Sequence, residues 1–289
     1  MLILIGYCII LGCVFGGFAL AGGHLAAVFQ PIELLIIAGA AIGSLIVGND
    51  LSVLKAIAKA IPGLFLNKRG TSKTLYKDLL GLLYALLNKG RQEGFMSLEN
   101  DIEDPENSPI FKEYPQILAK PHIIEFLCDY LRLMITSNMQ PFQLELLMDS
   151  EIETYHQEES IPVNAITRLA DGMPAFGIVA AVLGVVHSME SINLPPAELG
   201  VLVAQALVGT FLGILLGYGF IGPLATALEQ KGNDFLLILN CIKVTLIASA
   251  HNYPPIIATE FGRKVLFSTA RPSFNELNEN IKVPKQEAA

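Results

Sequence analysis

The sequence lacks tryptophan and is poor in charge: only 16% of its 289 residues are charged, while 52% are apolar. A chain this apolar is not an ordinary soluble domain, yet it carries too much charge to lie wholly within a membrane. We therefore expect transmembrane helices joined to a polar domain. Without tryptophan, tyrosine and phenylalanine must supply any aromatic residues at the membrane interfaces. The four cysteines have no metal-site or disulfide spacing, which indicates reduced, structural thiols.

Several function classes are excluded by what is missing. The net charge of −8 argues against a nucleic-acid partner, because such binders usually carry a basic surface. No Walker-type glycine loop, HExxH or GxSxG motif is present, so no enzyme class is indicated. His122 with Glu125, and His156 with Glu159, stand one helical turn apart without a second ligand pair. They indicate solvated or capping side chains rather than a metal site.

Four apolar stretches predict membrane spans, at residues 2–21, 34–48, 173–186 and 199–228. The first is expected to be a retained helix, because a signal peptide needs a basic start and the first basic residue is Lys55. The two short connections between spans contain no Lys or Arg, and every basic residue falls within 55–168 or 231–285. The positive-inside rule then places both basic regions and both termini in the cytoplasm.

This organisation divides the chain into residues 1–49 with two spans, 50–171 as a helical cytoplasmic domain, 172–228 with two further spans, and a cytoplasmic C-terminal part at 229–289. The predicted fold class is all-α, since the alternation typical of strands is absent. Within the polar domain, Thr71 or Ser72 is expected to cap a helix that Gly90 ends. Two helical faces are predicted to point inward: Leu75, Leu79, Leu82, Leu83 and Leu86 on the first, and Ile124, Leu127, Leu131 and Met134 on the second.

Small residues recur at four-residue spacing in every span, a pattern that allows close contact between helices. Packing within one chain is the simpler interpretation, but stripes on all four helices indicate more neighbours than one chain supplies. We therefore expect a homo-oligomer. In the third and fourth spans the packing positions are Gly177, Ala180, Gly184, Gly209, Gly213 and Gly217.

The middles of the four spans contain no ionisable residue, and Glu33, Asp171, His187 and Glu190 fall at span ends. Four further residues stand where simple packing does not require them: Pro174, Thr210, Tyr218 and Pro223. Proline removes a helical hydrogen bond and leaves a carbonyl available to a cavity. The Thr210 hydroxyl either bonds to its own helix or holds water beside a carboxylate that another protein supplies.

Three segments resemble the MotA family of flagellar motor stator proteins. They are "DGMPAFGIVAAVLGVVHSM", "AELGVLVAQALVGTFLGILLGYGFIGPLATALEQ" and "EFGRKVLFSTARPSFNEL". The resemblance covers nearly the whole chain, including the loop "NKGRQEGFMSLENDIEDPENSPIF". The related ExbB and TolQ energisers share the last two spans but have three spans and the opposite N-terminal orientation, so the extra first span argues against them.

The resemblance implies a ring, a pentamer in the family, around MotB-like helices that each carry an essential membrane aspartate. It implies an inner-membrane location, ion-driven torque, and contact with the rotor protein FliG. Pro174, Thr210 and Pro223 match the family's pathway and coupling residues, and Arg91 and Glu99 match its rotor-contact charges, with Lys89 and Glu93 as neighbours.

We expect protons rather than sodium as the coupling ion, because the third span offers no hydroxyl before Ser188 and sodium needs several oxygen ligands. Two alternatives stay open. One is an ExbB/TolQ-type energiser of envelope transport, and the other is a non-conducting membrane scaffold.

Overall fold

The computed structural model describes residues 2–66, 73–137, 139–191, 193 and 195–282, and within these ranges it contains helices and no strand. The chain forms two compact units, each built from separate stretches of sequence. The first comprises Met1–Arg69 and Glu158–Lys231, and the second comprises Gly70–Gln157 and Gly232–Ala289. The all-helical class and the four candidate spans are confirmed, whereas the four-part division of the sequence stays a prediction.

The first unit begins with α1 (Leu2–Leu20), α2 (Leu25–Val28), α3 (Pro31–Val47) and α4 (Leu51–Leu66). Helix α3 starts three residues before the predicted second span, because Pro31 occupies its first turn, where the missing N–H has no helical partner to lose. The third candidate span belongs to α10 (Pro141–Glu190), which remains helical through Pro162 and Pro174. It includes the apolar stretch predicted at 173–186.

The fourth candidate span begins with α11 (Pro196–Ile214) and continues through a π-helical segment (Leu215–Ile221) into α12 (Gly222–Ala250). The helix is continuous over Pro196–Ala250 and therefore extends beyond the end of the predicted span at residue 228.

The second unit adds short helices to two amphipathic ones. Its helices between the second and third spans are α5 (Lys73–Glu93), a 3₁₀ turn (Phe95–Leu98), α6 (Glu99–Glu103), α7 (Pro109–Lys112), α8 (Pro115–Leu118) and α9 (Pro121–Thr136). The part of α10 up to Gln157, the part of α12 from Gly232, and the C-terminal helices α13 (Pro255–Val265) and α14 (Phe274–Lys282) complete it. The predicted leucine face of α5 is wholly buried, and on α9 Ile124, Leu127 and Leu131 are buried while Met134 is half-buried.

The predicted end of α5 at Gly90 is wrong. The helix continues to Glu93, and the break falls at Gly94, whose φ of 87° favours glycine. Gly90 is buried because Phe95 and Leu98 fold back onto the helix, and a Cβ there would meet their side chains at 3.1–3.2 Å. The predicted caps Thr71 and Ser72 lie outside the described residues.

Candidate functional site

A seam of small residues brings the backbones of the third and fourth spans together. A Cβ added to Gly177 would lie 2.7 Å from the Gly209 carbonyl oxygen, and one added to Gly213 would lie 2.7 Å from the Met173 carbonyl oxygen. Toward the short interspan loops, Ala180 packs against Gly209, and Gly184 packs against Ala206. All five predicted packing glycines of these two spans, Gly217 included, therefore lie against backbone or Ala side chains within this chain. By contrast, a Cβ at Gly12, Gly16, Gly39 or Gly43 would meet no described atom within 4 Å.

Pro174 lies at the other end of this seam. As a proline it supplies no amide to the carbonyl four residues earlier, which belongs to Ala170. The Ala170 carbonyl oxygen lies 2.6 Å from the position of a Cβ at Gly217, and the Pro174 ring lies 3.2 Å from the same position. Gly217 is buried, so the fourth span crosses the proline turn of the third at a point where no side chain fits.

The fourth span is irregular at that crossing, because Gly217 lies within the π-helical segment Leu215–Ile221. In the π-helical segment the Gly222 amide donates to the Gly217 carbonyl five residues earlier. The Tyr7 hydroxyl of the first span donates to the Phe220 carbonyl at 2.8 Å, and the two rings pack with centroids 4.9 Å apart. Pro223 follows directly. A widened turn next to a proline is weaker than regular helix and often marks a functional position.

Thr210 stands out among the serine and threonine side chains of the spans. Ser44, Ser188 and Thr167 each donate to a carbonyl of their own helix. Thr210 is half-buried, and its hydroxyl forms no hydrogen bond with the described parts of the chain. The back-bonded alternative considered from the sequence is therefore absent from the described structure.

Pro223 lines an open cleft of about 630 Å³ at the end of the spans opposite the short loops. Carboxylates and hydroxyls dominate its polar lining: Asp171, Glu229, Thr167, Tyr218 and Thr226. Thr210 is not part of it. At 1.5 Å per residue, Thr210 and Pro223 lie about 20 Å apart along the fourth span. The structure therefore spreads the predicted pathway residues along the seam instead of gathering them at one point.

Glu33 is the residue whose position the sequence did not indicate. It lies in the first turn of α3 but is only 9% exposed. Its Oε2 lies 2.9 Å from the position of a Cβ at Gly209, and its Oε1 lies 3.5 Å from that at Gly184. Oε2 is buried and has no hydrogen-bond partner in the described structure. The only sequence signal was a lone carboxylate directly before an uncharged span.

The predicted rotor-contact charges lie on the second unit around the Gly94 bend. Arg91 and Glu93 are exposed in the last turn of α5, and Glu99 is exposed at the start of α6. Lys89 differs, because its ammonium pairs at 2.7 Å with Asp101, which is only 6% exposed in its side chain. Ser108 donates to the other Asp101 oxygen at 2.6 Å. Three of the four charges are thus free to meet a partner, while Lys89 and Asp101 brace the bend.

The C-terminal motif quoted above forms an internal clamp. Arg263 is buried and bonds both oxygens of Glu260 at 2.6 Å, while also donating to the Pro272 carbonyl at 2.8 Å. The Arg263 guanidinium lowers the pKa of Glu260 below its ordinary value, chiefly through this hydrogen bond. The residue before Arg263 must be glycine, because a Cβ at Gly262 would collide with the Thr245 hydroxyl. No group of three potential metal-ligating side chains occurs in the ranges that the structure describes.

Two family models match consecutive parts of the chain: "Motility protein A N-terminal" over residues 4–94 and "MotA/TolQ/ExbB proton channel family" over residues 119–240. Motility protein A of Salmonella typhimurium is 54% identical over 98% of this chain and 95% of its own length. Chemotaxis protein LafT of Vibrio parahaemolyticus is 40% identical over 95% of this chain and 96% of its own.

Solved structures share the fold. The C. jejuni MotAB structure matches with a TM-score of 0.78 and 18% identity, covering 94% of this chain and 98% of that one. The flagellar MotAB stator complex from Bacillus subtilis matches with a TM-score of 0.70 and 20% identity, over 89% and 92% of the two chains.

Proposed function

This chain belongs to the motility protein A family, and we propose that it acts as a stator subunit of a flagellar motor together with a MotB-like partner. Near-full-length identity of 54% to motility protein A supports the assignment. The four candidate spans agree with a multi-pass protein of the bacterial inner membrane. Solved assemblies titled MotAB share its fold, which supports a partner of that kind.

The proposed topology places the two short interspan loops outside and both termini in the cytoplasm. Its support is the distribution of Lys and Arg, which are absent from both short loops and from all residues before Lys55. The helical segment between the second and third spans is then a cytoplasmic domain, completed by the C-terminal helices.

One observation carries the proposed mechanism. The third and fourth predicted spans, at 173–186 and 199–228, contain no Asp, Glu, Lys, Arg or His, and the half-buried Thr210 hydroxyl forms no hydrogen bond within the described chain. An ion path through such helices needs an acid from elsewhere, and a membrane aspartate of the MotB-like partner would provide it. Thr210 then faces that carboxylate, directly or through water. We propose protons as the coupling ion, because a single hydroxyl does not replace the oxygen shell of sodium.

Torque would arise where the third and fourth spans cross. One charge moving through about 100 mV releases roughly 2.3 kcal/mol, which can shift two helices between packings but cannot disrupt a core. A glycine seam that ends at Pro174, followed by a π turn and Pro223, is a place where such a small energy can alter the contact. In a ring, proposed to be a pentamer, this change would be passed to the cytoplasmic unit.

The rotor-contact surface would be the exposed charges around the Gly94 bend, Arg91, Glu93 and Glu99, facing complementary charges on FliG. Their exposure supports this role. Lys89 would act indirectly, by holding the bend through Asp101.

Complementation of a deletion strain tests the proposal. Cells lacking the chain should be flagellated but paralysed, and Thr210→Ser should restore swimming whereas Thr210→Val should not, because only serine keeps the hydroxyl. Ser44→Ala is the matched control, since that hydroxyl is bonded within its own helix.

Two outcomes would favour the alternatives. An ExbB/TolQ-type energiser would be indicated if the deletion strain swims normally but has defective envelope transport, and if the N-terminus of the chain lies outside. Full motility of both Pro174→Ala and Thr210→Val would indicate a non-conducting scaffold.

A further inference from the structure

We propose that Glu33 is a proton-binding site of this chain itself, placed at the short-loop end of the seam and delivering protons toward Thr210 and the partner's acid. The inference rests on the stator function proposed above. It extends that function, because the pathway then contains a carboxyl group of this subunit in addition to the one supplied by its partner.

The position of the carboxyl group is the first argument. Glu33 is 9% exposed, and its two oxygens lie over Gly184 of the third span and Gly209 of the fourth. A Cβ at Gly209 would lie 2.9 Å from Oε2, so a larger residue there would displace the carboxyl group from its present position. Gly209 directly precedes Thr210. The group therefore reaches the contact between the two spans at Gly209, one residue before Thr210 in the chain.

The missing partner is the second argument. Oε2 is fully buried and accepts no hydrogen bond in the described structure. A carboxylate in an apolar environment is stable only when a donor or a cation compensates it. A proton is the compensating group that needs no additional space, whereas sodium needs several more oxygen ligands. The site therefore has room and chemistry for a proton.

The helix dipole does not explain the burial. A glutamate in the first turn of a helix is favoured by the positive N-terminal end whether or not it is buried. Glu198 occupies the first turn of α11 in the same way and is exposed. The difference between the two residues lies in the glycines opposite Glu33.

The remaining titratable groups near this end of the helices are exposed. His187 and Glu190 follow Gly184 on α10 and lie 4.0 Å from each other, Glu198 begins α11, and His24 precedes α2. Pro31–Val47 carries no second ionisable residue. Among the described residues at the short-loop end, Glu33 is thus the buried titratable side chain.

The proposed step is a simple proton relay. The Glu33 carboxylate takes a proton from the outer side and forms an O–H bond. It then releases the same proton inward to the partner's carboxylate, which regenerates the anion. No other bond changes and no electron is transferred.

The test uses the chain assembled with its MotB-like partner in cells that lack their own stator. Proton influx after an outward acid step is measured per assembled complex, together with swimming speed, over a range of external pH. Glu33→Gln keeps the shape of the side chain without its titration, and Glu33→Asp keeps the titration. Glu198→Gln is the control for an exposed first-turn carboxylate.

We expect Glu33→Gln to reduce influx per complex roughly 100-fold, the lower end for loss of a positioned proton-transfer group, and to flatten its dependence on external pH. Glu33→Asp should regain much of the influx, and Glu198→Gln should match the wild type. If Glu33→Gln does not assemble, influx is compared between Glu33→Asp and Glu33→Asn instead. Their side chains are equally short, and only aspartate titrates.

Wild-type influx and pH profile in Glu33→Gln, or equal influx per complex in the Asp and Asn variants, would overturn the inference alone. Absence of influx in the wild-type complex would overturn the proposed function, and the inference with it.

Discussion

Replacing Gly217 with alanine should separate the third and fourth spans at the proline crossing. The added Cβ would lie 2.6 Å from the Ala170 carbonyl oxygen, while ordinary contact begins at 3.4 Å. The helices must therefore move apart by about 0.8 Å, because a backbone oxygen cannot rotate away as a side chain can. Overpacking of this kind costs about 1–3 kcal/mol, partly offset by the roughly 0.5–1 kcal/mol that alanine gains over glycine in a helix.

We expect Gly217→Ala to lower the thermal unfolding midpoint of the purified complex and to impair swimming. Gly200→Ala is the matched control in the same candidate span, since a Cβ there meets no described atom within 4 Å. It should be neutral or slightly stabilising. If Gly217→Ala equals Gly200→Ala in both unfolding midpoint and swimming speed, the close contact at Gly217 does not hold the spans together and the reasoning fails.

Two further predictions concern the second unit. Lys89→Met should lower the free energy of unfolding by about 1–3 kcal/mol in denaturant, because it leaves the buried Asp101 carboxylate without its cation. Arg91→Met should change rotor coupling but not stability. Equal stability of the two variants would contradict this prediction. Gly262→Ala should destabilise the protein, because the added Cβ collides with the Thr245 hydroxyl. Adding Thr245→Ala should recover part of the lost stability. If the effects of the two substitutions on the free energy of unfolding are strictly additive, a direct contact is refuted.

Sequence periodicity predicted the four spans and the two amphipathic helices α5 and α9, but located helix ends less well. The leucines Leu75, Leu79, Leu82, Leu83 and Leu86 recur at helical spacing in α5, so their burial followed directly from the pattern. The end of the same helix did not, because Gly90 and Gly94 are equivalent in sequence. Only the packing of Phe95 and Leu98 against Gly90 makes the second glycine the terminator.

The charged residues near Gly94 show even more clearly which features the sequence predicts and which depend on the tertiary structure. Lys89, Arg91 and Glu93 form one exposed-looking group in the sequence, and nothing distinguishes Lys89 from its neighbours. Its ion pair with Asp101 exists because the chain reverses at Gly94 and brings α6 back beside α5. A contact across a reversal depends on the geometry of the turn, which residue spacing alone does not specify.

The sequence by itself determined the class of the protein: the apolar stretches, the one-sided distribution of basic residues and the motifs around Pro174 and Pro223. These are local properties, since transfer into a membrane and helix formation depend on the composition of each segment. The tertiary structure decided that Glu33, an end-of-span carboxylate in the sequence, is buried over Gly184 and Gly209. Burial is a property of three helices together, and no single helix carries that information.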